Sequence, residues 1–359
     1  MKTKIKKVFS AILLAFYFLA IYWFLSLNTE HPLLHILAML ASIVFMIVTH
    51  ELGHLIFGLL TGYRFVSFRI FSIMLVRSEG KWAIRKMSVP GTGGQCLMAP
   101  PERKNGKFPF VLYNLGGILF CGILSLIPII IGLSMPLGET GMLLFLFGFV
   151  SFVMNLLNAI PTNGKSMLND ATNVKMALKS DTAKLALWNQ LSYAALNARN
   201  ISSADMPETL FFIPDKKDFS NPLIFWQILA AIDRAEATGE YEKARELAYF
   251  ALDHASSIAP LYKSVLQMEA VYLGSILSAD PERTEEYFEK IKKMPSLKAF
   301  AAFHRASYAY LLLVKKDLPR AESILSEYRK KITNAPYRVE AEFEQKQLER
   351  IQAVQQSIL

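Results

Sequence analysis

The chain has 359 residues, 53% of them hydrophobic, and a formal charge of +9. Its apolar residues crowd into the first 160 positions and the rest reads as an ordinary charged helical protein, which excludes one uniform soluble core. Nine Lys and Arg lie between Arg64 and Lys107 against Glu79 and Glu102, while 25 bases meet 24 acids after Asp170, so the basic excess flanks apolar runs and a nucleic-acid groove is excluded.

Residues 8–26 form the first apolar run, preceded by Lys2, Lys4, Lys6 and Lys7. A bilayer crossing takes about 20 helical residues. A signal peptide shares the basic start and the apolar core, but Ser26-Leu27-Asn28-Thr29-Glu30 is a poor cleavage site, so the run is read as a retained span. Further spans are expected at 33–60, 108–134 and 139–160. Lys and Arg are absent from connections 27–32 and 132–140, and abundant at the amino terminus and in 61–107. The positive-inside rule then puts both termini and the 61–107 loop in the cytoplasm, as expected for a multi-pass protein of a bacterial plasma membrane in contact with lipid.

The 61–107 loop alternates apolar and polar residues over Phe65–Ile73 and again over Lys81–Met87, on either side of Ser78-Glu79-Gly80. That pattern predicts two strands around a turn, with an irregular interfacial loop as the alternative. Gly91-Thr92-Gly93-Gly94 lacks the Lys-Ser/Thr of a phosphate loop. Cys96 and Cys121, the two cysteines, are read as free thiols.

Beyond Asp170 the pattern is helical. Turns at Gly239-Glu240, Asp280-Pro281 and Lys316-Asp317 recur about every 40 residues, against about 34 in tetratricopeptide repeats. Residues 222–335 resemble degenerate repeats of that kind, with a plain helical bundle as the alternative. The expected organisation is an all-α polytopic membrane unit at 1–174, with about four transmembrane helices and a partly β membrane-associated loop, followed by a helical, tetratricopeptide-like cytoplasmic domain at 175–359.

His50 and His54 are one helical turn apart on one face, the spacing that lets two imidazoles reach one zinc ion, and Glu51 lies beside them as a candidate general base. Ionisable residues at the centre of a bilayer helix cost about 2.5 kcal/mol or more each, and a metal offsets that cost. A catalytic zinc takes a third protein ligand. Asp170, the only acid between Glu139 and Asp181, is the best candidate; a helix cap is its competing role.

The His50-Glu51-Leu52-Gly53-His54 span, the basic loop, the Gly-rich third span and the Asn155-Leu156-Leu157 segment with its later acid together resemble the site-2 protease family of intramembrane zinc metalloproteases, over residues 33–175. That family carries an Asn-x-x-Pro-x-x-x-x-Asp-Gly motif. Here Asn155 and Asp170 stand at its two polar anchors, Asn158 stands at the first proline position, Ala171 replaces the Gly, and the interval is longer. The resemblance implies Zn2+ as cofactor and hydrolysis of peptide bonds in membrane-spanning or signal-peptide segments near the cytoplasmic face. An edge strand from 65–87 is expected to pair with an unwound substrate, and Asn155 to hydrogen-bond the substrate backbone. The alternative is a non-proteolytic membrane scaffold that recruits a protein partner through its helical domain. A metal transporter would need more polar residues along the first and third apolar runs than they offer.

Overall fold

Three helices carry the apolar half of the chain. α1 (Pro32–Leu60), α2 (Phe110–Ser134) and α3 (Glu139–Ala159) are each long and apolar enough to cross a membrane, and contain 18-residue stretches of mean hydropathy 2.3, 2.4 and 2.0. The computed structural model describes residues 31–78, 81–87, 92–162, 168–254, 258 and 260–358. The expected first span at 8–26 lies outside them.

The three helices turn large side chains such as Leu37, Leu40, Ile123 and Ile130 outward and place small ones at their crossings. A side chain at Gly53 would collide with the backbone of Gly116, and one at Gly132 with that of Gly141 and Phe145. Close backbone approach through small residues is how helices gain packing energy where no water drives them together. α1 begins at Pro32, whose fixed φ suits the first helical position. It ends at Leu60, and two residues on Gly62 takes φ +87 so that the Tyr63 N–H donates back to Gly58 O at 2.9 Å. That turn throws the Tyr63 ring against Tyr113 of α2, stacked at 4.4 Å.

The connection from α1 to α2 is a four-stranded antiparallel sheet of order β3-β2-β1-β4, built from β1 (Arg64–Ile70), β2 (Ile73–Ser78), β3 (Lys81–Lys86) and β4 (Gly94–Ala99). Two strands were expected here. The run Phe65–Ile73 breaks into a hairpin at Phe71-Ser72, because Phe71 adopts φ 51 and Ile70 pairs with Ile73. No Gly or Asn marks that turn; the Phe71 N–H, donating to Gly93 O at 2.7 Å, fixes it from across the sheet. The second missed strand, β4, grows out of the Gly-rich segment.

The remaining chain is helical: α4 (Asp170–Ala177), α5 (Asp181–Asn197), α6 (Pro222–Ala237), α7 (Tyr241–Asp253), α8 (Pro260–Ile276), α9 (Pro281–Lys292), α10 (Ala301–Ala309), α11 (Leu318–Thr333) and α12 (Arg338–Ile358). Left-handed residues sit at the three expected turns: Gly239 (φ 84), Asp280 (φ 46) and Lys316 (φ 55). Phe225, Tyr272 and Leu273 belong to one large core of this part. A second core crosses the expected boundary between residues 174 and 175. It joins Tyr63, Met98, Phe110 and Tyr113 to Val174, Ala177, Leu187 and Leu223. The chain also returns to the sheet, where Tyr337 and Val339 pack with Val66, Met74 and Val76.

Candidate metal centre

α1 presents His50, Glu51 and His54 to the interior, where they are 6%, 9% and 6% exposed. Each imidazole is held from behind. Asn155 on α3 donates its amide Nδ2 to Ile118 O at 2.9 Å, which leaves its Oδ1 facing His50. His50 Nδ1 therefore donates to that Oδ1 at 3.0 Å. His54 Nδ1 donates to the backbone oxygen of Tyr113 at 2.8 Å. Acceptors at both Nδ1 positions assign the proton there and leave each Nε2 with a lone pair.

Those lone pairs face one another. His50 Nε2 and His54 Nε2 are 3.1 Å apart, and Asp170 Oδ2 lies 2.9 Å from the first and 3.4 Å from the second. Two imidazole lone pairs and a carboxylate oxygen thus converge on one point. A single proton satisfies one of these contacts, whereas a divalent cation satisfies all three.

The space beside the two imidazoles is kept open. A Cβ on Gly117 would lie 2.7 Å from His54 Nε2 and 2.8 Å from His50 Nε2. Only glycine at that point of α2 leaves the convergence clear. Two His and one Asp match the nitrogen and oxygen donor set that zinc accepts.

Asp170 reaches the site without serving as a cap. Asn169 is the N-cap of α4, accepting from Thr172 N at 3.0 Å, and its own Nδ2 donates to Ile160 O at 2.8 Å. Asn169 thereby ties the start of α4 to the end of α3, and Asp170, next in line, keeps its carboxylate free for the histidines. The expected return turn at Asn163-Gly164 lies outside the described residues.

Glu51 points away from this cluster's back wall towards β4. A Cβ on Gly94 would lie 2.7 Å from Glu51 Oε1, and the Cys96 N–H is directed at the carboxylate. Behind β4 stands Arg69, which is 1% exposed. Its guanidinium donates to Phe71 O at 2.6 Å, Thr92 Oγ1 at 2.5 Å and Gly94 O at 3.1 Å. Tyr113 braces the same strand, donating its hydroxyl to Cys96 O at 2.8 Å. Neither Arg69 nor Tyr113 was picked out from the sequence. An arginine on the inward register of an apolar strand was the available signal for the first; nothing marked the second.

Asn155 is 1% exposed and both ends of its amide are engaged within the protein, so its place is behind His50. Cys96 and Cys121 are free and buried. The two sheet edges differ as well. Glu51 and Tyr113 take the outer edge of β4 at Cys96, whereas β3, the other edge, carries exposed Trp82 and Ile84. β1, part of the segment expected to offer an edge, is interior. Comparison with protein-family models, with curated proteins and with solved structures returned no match, so a functional reading rests on these residues alone.

Proposed function

We propose that the chain is a zinc-dependent intramembrane endopeptidase of the site-2 protease kind, a multi-pass protein of a bacterial plasma membrane with both termini cytoplasmic. The observation that carries this is the meeting of His50 Nε2, His54 Nε2 and Asp170 Oδ2 beside Glu51, inside a bundle of helices apolar enough to cross a membrane. His50, His54 and Asp170 would hold the ion. Bound there, zinc would supply a Lewis acid that lowers the pKa of water to about 7.

The chain's own residues account for the remaining chemistry. Glu51 accepts the proton of the attacking water and returns it to the leaving amine. Asn155 and the Tyr113 carbonyl keep both imidazoles in the tautomer that offers Nε2. Gly117 preserves the open volume at the ligands. A substrate helix must unwind before its peptide bonds are accessible, and its exposed backbone then needs new partners. Among the described strands, β3 is the edge available for such pairing. The helical part, with its left-handed turns after alternate helices, is read as tetratricopeptide-like and as the cytoplasmic portion.

Glu51→Gln tests the reading. Purified variant protein is expected to retain zinc, measured by atomic emission, and to lose cleavage of a model transmembrane peptide. Cleavage at the parental rate would falsify the proposal; zinc-loaded parental protein with no cleavage of any spanning peptide would favour the scaffold.

A further inference from the structure

The helical half encloses a second concentration of charge, made of other residues. Arg305 on α10 is 2% exposed. Its guanidinium donates to Glu269 Oε2 at 2.6 Å and Glu344 Oε1 at 3.3 Å, and lies 3.6 Å from Glu236 Oε2. The Tyr272 and Phe343 rings lie against it at 4.7 and 5.3 Å. Nearby, Tyr193 donates to Asp233 Oδ2 at 2.6 Å and Asn197 to Glu340 Oε1 at 2.7 Å. Glu236, Glu269 and Glu344 thus meet one guanidinium, and with Asp233 and Glu340, which line the adjoining cavities, α6, α8 and α12 supply five carboxyl groups to this region.

Buried ions are tolerated when opposite charge and hydrogen bonds compensate them. Here compensation is incomplete. Glu236 is 2% exposed and its Oε1 has no hydrogen-bond partner. Two cavities, of about 610 and 210 Å³, share Tyr193, Asp233, Glu269 and Arg305 as lining, and Glu236 lines the smaller. Lys86 and Lys331 also line the larger, so the two together carry five acids against three bases. The larger falls in the range of ligand sites, which span about 300–1,000 Å³. Phe300 and Phe343 add apolar wall to it.

We propose that these two neighbouring cavities, which share Tyr193, Asp233, Glu269 and Arg305 as walls, bind a lysine- or arginine-bearing peptide segment, its cationic groups seated beside Glu340 in the larger and Glu236 in the smaller and an aliphatic stem against Phe300 and Phe343. Burial pushes Glu236 well above the ordinary carboxyl range and Glu340 up to about 7, and a bound ammonium or guanidinium takes the place of the retained protons. Lys86 and Met87 line the larger cavity at the end of β3, so a chain paired along that edge runs into it. Identifying the segment as the flank of a membrane-spanning substrate rests on the protease reading. Basic residues accumulate on the cytoplasmic flank of such spans.

The test uses full-length Glu51→Gln protein in phosphatidylcholine nanodiscs and fluorescence anisotropy of labelled soluble hexapeptides, one alternating Lys and Ala, the other Glu and Ala. Saturable binding of the Lys peptide alone is expected. Glu236→Gln and Glu340→Gln, which keep shape and remove charge, should each raise its Kd about tenfold, the equivalent of one buried charge contact at about 1.4 kcal/mol. Ala302→Phe, which narrows the larger cavity without touching charge, should do the same, and melting temperatures identify any variant that has not folded. Equal binding of the Glu peptide, or an unchanged Kd in all folded variants, overturns the proposal. Hydrolysis is never read, so these outcomes are separate from those of the Glu51 test on spanning peptides.

Discussion

Asn155 decides which nitrogen of His50 carries the proton. Its Nδ2 is committed to Ile118 O at 2.9 Å, so only its carbonyl oxygen can meet His50 Nδ1, 3.0 Å away. A backbone carbonyl on α2 thus reaches through an α3 side chain to orient His50 on α1. Partners of this kind behind a metal-bound histidine change metal affinity by about 10–100-fold. Asn155→Ala should therefore weaken zinc binding by that factor in a chelator competition, while Asn155→Asp, which still accepts from Nδ1, should keep most of it. Equal affinity in the Ala variant would remove Asn155 from the site.

Gly117→Ala should abolish zinc binding outright. Its methyl group would stand 2.7 Å from His54 Nε2 and 2.8 Å from His50 Nε2, against the two imidazoles. Gly122→Ala is the matched control on the same helix, since its Cβ comes no nearer than 3.6 Å to Asn155 Nδ2. Normal metal content in Gly117→Ala would mean that the ion sits elsewhere.

Asp170 and Asn169 should separate by readout. Asp170→Ala should lose zinc with little change in the helix it begins. Asn169→Ala should cost about 1 kcal/mol of stability as a lost cap. It should also reduce zinc occupancy, because the tie to Ile160 O positions its neighbour. Full zinc content in Asp170→Ala would displace that residue from the ligand set.

Glu340 should make stability fall as pH rises. Burial holds its carboxyl at about 7 against an ordinary 4.5, with Asn197, Glu344, Asp233 and Arg85 facing it. The folded chain keeps the proton between pH 4.5 and 7 and the unfolded chain releases it, so folding loses up to about 3 kcal/mol across that window. Thermal melting in detergent should decline from pH 5 to 8, and Glu340→Gln should flatten the decline. A parental profile in that variant would refute the assignment.

Much of this architecture was legible in the residues, for identifiable reasons. Apolar runs of span length announce themselves, and the α1, α2 and α3 bounds fall within two residues of the runs at 33–60, 108–134 and 139–160. The His50/His54 spacing reads directly as one helix face. Asp170 was visible as an isolated acid, but its approach depends on Asn169 gripping the end of α3, a contact that no local pattern encodes. The hairpin at Phe71 was hidden because alternation continues through it and a bulky residue takes the positive φ. The core shared by Met98, Tyr113, Ala177 and Leu187 was hidden because amphipathic faces show what must be buried, not against what.

The return of Tyr337 and Val339 to the sheet closes the molecule on itself. β1 and β2 rest on residues that arrive more than 250 positions later, while Leu223 and Ile224 are locked into the core around Tyr113. A peptide bond cut in the connection between α5 and α6 would therefore not separate two domains. The two pieces would remain joined by non-covalent contacts at both places and copurify, as a nicked ring keeps its shape when it is clasped on either side of the cut.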